Sequence, residues 1–429
     1  MKFHPADRPL KGTLQVPGDK SISHRSVMFG SLAEGTTEVT GFLNSADCRS
    51  TIACFRKMGT GIDVDASGTR VKIHGKGIHG LSAPEDTLDC GNSGTTIRLI
   101  SGILAGQPFS SRLTGDRSIQ KRPMKRVIDP LTQMGAKIRS EKKNGCVPLL
   151  IDPSDLSGIE YHTPVASAQV KSCILLAGLY TGGTTTVVEP ALSRNHTELM
   201  LAGFGAEIHT SGNTSSIRPE PRLSAIPIEV PGDISSAAYF MAAALMVPGS
   251  EVLLTNVGIN PTRDGILEVI RNMGGTFEIQ NRKTSGGEDS ADLLFRSQKL
   301  HGCTIRGSLI PRLIDELPVI AVLAAVSEGT TVIRDAAELK VKESDRLAAI
   351  VSSLRKMGAD VTATDDGMII RGGKPLTGAV IDSCADHRIA MSFAVASLVA
   401  KGSTEILGAD CVNISYPEFY RDLGSLLKG

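Results

Sequence analysis

The chain has 429 residues, enough for two or three domains with sizeable cores. Its 46 Lys+Arg balance 45 Asp+Glu, a net charge of +1, so nothing draws nucleic acid or an acidic membrane from a distance and any anion site must be local. Eight scattered cysteines without a CxxC read as free thiols of a reducing compartment, and nine histidines without an HxxxH pair predict no metal site. The opening MKFHPADRPLKG lacks an apolar signal core, and no apolar run approaches ~18 residues, so a soluble, cytoplasmic protein is expected.

The first informative stretch is VPGDKSISHRS (16–26). A Pro-Gly turn is followed by Lys20, His24 and Arg25, with Ser21, Ser23 and Ser26 between them. A polar loop opening a helix explains the pattern as well as an anion site does, in which Gly18 admits a ligand to the backbone and free amides at a helix start face it. VPGD returns at 230–233, 214 residues later, and suggests an internal duplication.

Other punctuation supports a repeat. A Gly leading into a β-branched or apolar strand occurs at Gly35, Gly106, Gly183, Gly249, Gly329 and Gly402. A Gly near a helix end occurs at Gly59, Gly135, Gly205, Gly274, Gly358 and Gly424. The paired marks lie 24, 29 and 22 residues apart in the first half and 25, 29 and 22 in the second. Each unit reads helix, Gly turn, strand, loop, amphipathic helix, Gly cap and two strands. A Leu-plus-small-residue mark closes five of the units, at 79–81, 156–158, 223–225, 300–302 and 376–378. The sixth unit has none, and LKG (10–12) supplies it, so the N-terminal strand is expected to complete that unit. The predicted organisation is a first domain over 16–229 and a second over 230–429 plus 1–15, three units each. The chain then crosses near 16–20 and 228–233, at the two VPGD sequences.

Chemistry-bearing residues gather in the loops and helix starts of these units. GNSGTTIR (91–98) predicts a turn-into-helix anion cradle around Asn92, Gly94 and Thr95. GDRSIQKRPMKR (115–126) reads mainly as a solvated cationic face from which one or two side chains, Arg122 among them, reach a ligand. SAQVKS (167–172) offers Ser167 and Gln169 at a helix start, and SRNHTE (193–198) fits a cap or a binding loop. In the second half IPRLIDELP (310–318) sets Asp315 and Glu316 in an apolar run, a helix start or a catalytic pair. KVKESDR (340–346) is by default a salt-bridged helix face, and DHRIAM (386–391) repeats the His-Arg pair of HRS. A basic turn at a helix start in both halves points to one cleft between the domains. GKGIHG (75–80) is formally GxGxxG, but LSAPEDT follows rather than a helix, and no GxxxxGK[ST] occurs, so nucleotide binding is not indicated.

Nine motifs in order, GDKSISHRS, GNSGTTIRL, KRPM, SAQVKS, PGDISSAA, IPRLIDELP, ELKVKESDR, DHRIAM and SYPEF, resemble the 5-enolpyruvylshikimate-3-phosphate synthase family from end to end. The resemblance implies an α/β (α+β) fold: a two-domain inside-out α/β barrel, each domain three βαβαββ units about a pseudo-threefold axis. It implies transfer of the enolpyruvyl group of phosphoenolpyruvate to the 5-hydroxyl of 3-phosphoshikimate by addition and elimination, without cofactor or metal. By resemblance, Lys20, Ser21, Arg25, Ser167, Gln169, Arg194, Asp315 and Lys342 hold 3-phosphoshikimate. Lys20, Asn92, Gly94, Arg122, Gln169, Arg346 and Arg388 face phosphoenolpyruvate. Asp315, Glu343 and Lys20 are the implied proton-handling groups. Two substrates carrying about −6 in all suit this density of cations. The implied partners are these two small molecules, with no nucleic acid and no membrane, and the expected assembly is a monomer whose domains close on 3-phosphoshikimate. Family members are inhibited by glyphosate in competition with phosphoenolpyruvate.

Two features depart from many members: Ile414 stands where a lysine is common, and Ala168 where a second serine occurs. Both resemble the family's second class. The sister enzyme acting on UDP-N-acetylglucosamine carries a cysteine before the matching Arg-Pro; here that loop has none, and Arg117 stands near the place. A non-catalytic nucleic-acid-end-binding relative would need a basic, aromatic face, and the chain has no Trp and 4% aromatics.

Overall fold

A computed structural model describes residues 1–428. The chain divides into two compact units: Gly18–Val230 with Thr284–Glu288, and Met1–Pro17, Pro231–Lys283 and the residues from Asp289 onward.

In the first unit six helices alternate between two kinds. Helices α1 (Lys20–Leu32), α3 (Gly94–Ala105) and α5 (Ala168–Ala177) are buried on nearly every side, and α2 (Ala46–Lys57), α4 (Lys125–Gln133) and α6 (His196–Gly203) follow them. The buried helices are mostly apolar or small residues, with His24, Arg25 and Lys171 buried among them. Some of their hydroxyls bond back to their own helices, as Ser26 Oγ does to Ile22 O and Ser101 Oγ to Ile97 O, which offsets the cost of burying them.

Each buried helix is followed by a strand, a second helix and two antiparallel strands. A short sixth segment then lies parallel to the first strand of the next repeat: Leu88–Asp89 on Ser111–Thr114, and Glu160–His162 on Thr185–Val188. The third such segment, Ile228–Glu229, returns to Glu34–Thr40 of the first repeat, so the three sheets close into a ring.

The second unit repeats the scheme with α7 (Ile234–Met246), α8 (Gly265–Asn272), a single turn α9 (Ile310–Leu313), α10 (Leu317–Val326), α11 (Arg346–Lys356), α12 (His387–Ser397) and α13 (Phe419–Leu426). Helix α10 buries nine of its ten residues, so it carries no 3.6-residue polar stripe. The ring here is closed from the N-terminus: Lys11–Leu14 runs parallel to Glu251–Leu254, register Lys11 opposite Glu251. Lys2–Phe3 pairs antiparallel with Thr404–Glu405 in the third sheet.

The two VPGD sequences have one local meaning. Asp19 and Asp233 are the N-caps of α1 and α7, accepting from Ile22 N and Ser235 N. Gly18 is required by space: a Cβ there would lie 1.9 Å from Gly41 O. Most of the glycine marks take positive φ, but Gly106 and Gly183 do not, and Gly424 lies inside α13 rather than past its end. Gly106 has a different reason to be small, because the Tyr180 ring is 2.2 Å from where its Cβ would stand. Gly75, Gly77 and Gly80 sit at the end of strand Val71–Lys76 and in the turn after it, and no helix opens there.

Candidate active site

In the first unit the anion cradle forms at the start of α3. Ser93 caps the helix through Thr96 N, which leaves Gly94 as its first residue. A Cβ at Gly94 would stand 3.2 Å from Arg98 Nη1 and 3.4 Å from Arg122 Nη1, so two guanidinium groups flank the bare backbone. Arg122 Nη2 donates to Asn92 Oδ1 at 2.8 Å, and Asn92 Nδ2 donates to Asp116 Oδ2 at 2.8 Å, which fixes Arg122 over the turn. Arg98 Nη1 donates to Gln169 Oε1, and Gln169 Nε2 donates to Thr95 Oγ1 at 3.2 Å. Asn92, Gly94, Arg122 and Gln169 are thereby brought together. Arg98 belongs with them although sequence reading passed it over. Its signal was its place four residues after Gly94, on the same helix face. Arg117, Lys121, Lys125 and Arg126 are exposed, a solvated face.

Lys20, the first residue of α1, is ion-paired to Asp47 Oδ2 at 2.8 Å. Asp47, in the first turn of α2, looks from sequence like an ordinary helix-start acid. Arg25 is buried: Nε donates to Thr197 Oγ1 at 2.7 Å, Nη2 to Ser172 Oγ at 2.9 Å and Nη1 to Ser21 O at 3.0 Å. Burial pushes its pKa down to about 10, against the pull of Glu198 and Asp19, and it remains a cation at neutral pH. His24 Nδ1 lies 2.7 Å from Thr51 Oγ1, itself 2.7 Å from Thr96 Oγ1. Burial pushes the imidazole down to about 3, so it is a neutral core link between α1, α2 and α3.

Ser167 is the N-cap of α5, yet its hydroxyl makes no capping bond. Arg194 lies half-buried in the loop before α6, close enough to Arg25 to oppose its charge.

The second unit carries the acids. Asp315 lies between α9 and α10, and Oδ1 is 3.0 Å from Arg346 Nη1 and 3.9 Å from Lys342 Nζ. Its Oδ2 is 3.9 Å from Arg388 Nη2. Arg346 opens α11 with a side chain 1% exposed; it also donates to Glu343 Oε2 at 2.5 Å and to Asp386 Oδ2 at 2.8 Å. Burial alone would pull its pKa down, but Glu343, Asp386 and Asp315 outweigh it and move it up. Arg388 is displaced upward in the same way, by Asp315 first among its neighbours. Asp386, wholly buried, caps α12 through Arg388 N and also accepts from Ser344 Oγ. Lys342 Nζ is 2.9 Å from Glu338 Oε1. Asp315, Lys342, Glu343, Arg346 and Arg388 therefore form one cluster. Glu316 is buried and accepts from Ser235 Oγ.

Three loop-and-helix-start cation clusters and one acid–cation cluster, on six helix–strand repeats, match a known family. The profile of EPSP synthase (3-phosphoshikimate 1-carboxyvinyltransferase) matches residues 5–423. The chain belongs to the EPSP synthase family. It is 56% identical over 413 residues to the 3-phosphoshikimate 1-carboxyvinyltransferase of Brevibacillus brevis, 96% of each chain. The solved structure of EPSP synthase from Acinetobacter baumannii superposes with a TM-score of 0.92 at 46% identity, over 99% of this chain and 97% of that one. The enolpyruvyl transferase NikO from Streptomyces tendae shares the fold at 18% identity, with a TM-score of 0.78 over 99% of this chain and 96% of that one.

Ser21 contributes a backbone carbonyl to Arg25. Ile414 is partly exposed, and Tyr416 of the SYPEF motif is a core residue whose hydroxyl donates to Asp422 Oδ2 at 2.7 Å. Among the described residues no group of three or more His, Cys, Asp or Glu is arranged to hold a metal ion, and no helix is long and apolar enough to cross a membrane.

Proposed function

We infer that this chain transfers the enolpyruvyl group of phosphoenolpyruvate to the 5-hydroxyl of 3-phosphoshikimate and releases phosphate, through a tetrahedral intermediate. The observation that carries the assignment of roles is the second unit's cluster, where one carboxylate, Asp315, stands among Arg346, Lys342 and Arg388. A carboxylate beside three cations can accept a hydroxyl proton while those cations hold the substrates' anionic groups in place.

In this reading Asp315 removes the 5-hydroxyl proton as the oxygen attacks C2 of phosphoenolpyruvate. Lys20 and Glu343 deliver a proton to the methylene carbon, making a methyl group. In the second step a methyl proton is taken back, the C–O bond to phosphate breaks, and the double bond re-forms. Arg122, Arg346 and Arg388, with Asn92, Gly94 and Gln169, hold the phosphate and carboxylate of phosphoenolpyruvate. Ser167, Gln169, Arg194, Arg25, Ser21, Lys20 and Lys342 hold 3-phosphoshikimate. Both substrates bring oxyanions, so the ion pairs Arg346–Glu343 and Lys342–Glu338 are exchanged for pairs with substrate, which frees Glu343 for proton transfer. Arginine suits this exchange because its planar fork meets carboxylate or phosphate with two donors at once.

The test is phosphate release from phosphoenolpyruvate with 3-phosphoshikimate or UDP-N-acetylglucosamine as acceptor. Release with the first only is expected. Release with the second only, or with neither, refutes the assignment.

A further inference from the structure

Beneath the loops that carry Ser167 and Arg194 lies a buried charge cluster that sequence reading did not single out. Lys171 Nζ is 2.8 Å from both Glu189 Oε2 and Glu198 Oε1, and the three side chains are at most 2% exposed. Glu198 also accepts from Ser215 Oγ and is the first of the carboxylates acting on Arg25, so two cations and two carboxylates share this core. Such a group costs more to bury than apolar side chains of equal volume, which asks what it does.

Glu189 gives the answer. It follows strand Thr185–Val188, and its backbone N–H is fixed to Asn213 O at 2.9 Å. Its Oε1 accepts from Ser167 N at 3.1 Å, and its Oε2 accepts from Ser193 N at 3.2 Å. One carboxylate thus clamps two separate loops, each at or next to a proposed substrate contact: Ser167 on one side, Arg194 on the other. Lys171, on α5 one turn beyond Ser167, holds the carboxylate and also reaches Ser193 O at 3.4 Å.

We propose that Glu189, held by Lys171, is a positioning residue for 3-phosphoshikimate, setting Ser167 and Arg194 at the spacing that the ligand needs. The inference rests on reading those two residues as 3-phosphoshikimate contacts. Only a carboxylate serves at this place. In Glu189→Gln one end becomes an N–H donor and must face either Ser167 N–H or the Ser193 N–H and Lys171 pair, so one loop is released.

The test is the dissociation constant of 3-phosphoshikimate by calorimetry, alongside the KM for phosphoenolpyruvate and the thermal midpoint. Glu189→Gln is expected to weaken 3-phosphoshikimate roughly 10- to 100-fold, the scale of a misplaced contact, with the phosphoenolpyruvate KM changed less than about threefold. A merely structural role would lower the thermal midpoint and the fraction of active molecules but would leave the dissociation constant alone. Should Glu189→Gln not fold, Glu189→Asp keeps the charge beside Lys171 and loses the reach to one loop, and a weakening of at least about threefold is expected. The double variant Glu189→Gln/Arg194→Ala should lose less than the two single losses combined, because Glu189 acts through Arg194. Binding within about twofold of wild type in the Glu189 variants, with Ser167→Ala and Arg194→Ala both weakened, overturns the positioning role. If neither Ser167→Ala nor Arg194→Ala weakens binding, the substrate reading of these loops fails and the inference fails with it.

Discussion

Gly94→Ala tests the wall proposed for the phosphoenolpyruvate site. The added methyl would stand 3.2 Å from Arg98 Nη1, 3.4 Å from Arg122 Nη1 and 3.8 Å from Arg98 Cζ. These are ends of flexible side chains, so each can give by a few tenths of an ångström. Both are tethered, however: Arg98 to Gln169 and Arg122 to Asn92. Gly94 lies in the first turn of α3 without a positive φ, so alanine fits the backbone and, by helix propensity, should not lower stability. Phosphoenolpyruvate, the shorter ligand, is expected to lose at most about 1 kcal/mol, the worth of one hydrogen bond adjusted. Glyphosate, the longer competitor, is expected to meet the methyl, at an overpacking cost of about 1–3 kcal/mol, which corresponds to roughly 5- to 150-fold weaker inhibition. The assay is an inhibition series against phosphoenolpyruvate for both proteins at one fixed salt composition. An unchanged ratio of inhibition constant to KM would refute the steric account and leave Gly94 as a helix-start glycine only.

Asp315→Asn should lower the rate of phosphate release about 10²- to 10⁴-fold, the usual weight of a positioned base, and a smaller loss in steady-state kinetics would argue against that role. Asp386→Asn removes a charge that Arg346 Nε, Ser344 Oγ and Arg388 N all share. It should raise the phosphoenolpyruvate KM and cost about 1.5–3 kcal/mol of stability, read from KM and denaturant midpoint together. His24 is neutral in the fold and takes up a proton on unfolding below its ordinary value of 6.5, so stability falls as pH drops from 6.5 towards 3. At pH 5 the loss is about 2 kcal/mol relative to pH 7. Urea unfolding at both pH values should show a shallower dependence in His24→Asn, and an identical dependence would mean that His24 does not titrate on unfolding.

The fold was legible where the chain must turn. Asp19 and Asp233 announce helix starts, and the glycines after α2, α4 and α11 take the positive φ that ends a helix. It was not legible from periodicity in α3 or α10, because a helix buried all round has no polar face to give a period. The candidate site divides similarly. Lys20, Asn92, Asp315 and Arg346 lie in local motifs whose composition is odd for a structural segment. Their partners do not: Asp47, Asp116 and Asp386, and Glu189 beside Ser167, each resemble an ordinary helix-start or loop acid, and only tertiary contact across 22 to 40 residues gives them a role. Arg98 was hidden by apolar neighbours in IRLI.

The way each ring of sheets is closed has a consequence for synthesis. Apart from Thr284–Glu288, the first unit draws only on residues 18–230, so nearly all of it can form while the remainder is still being translated. The other ring needs residues 2–3 and 11–14 to meet strands near 404 and 251, and Gly12 to lie against Leu426 of α13. Lys2–Phe3 must therefore wait for residues 404–405, and Lys11–Leu14 for residues 251–254. Until Glu251–Leu254 is made, Lys11–Leu14 is an unpaired strand that a neighbouring nascent copy can take up instead.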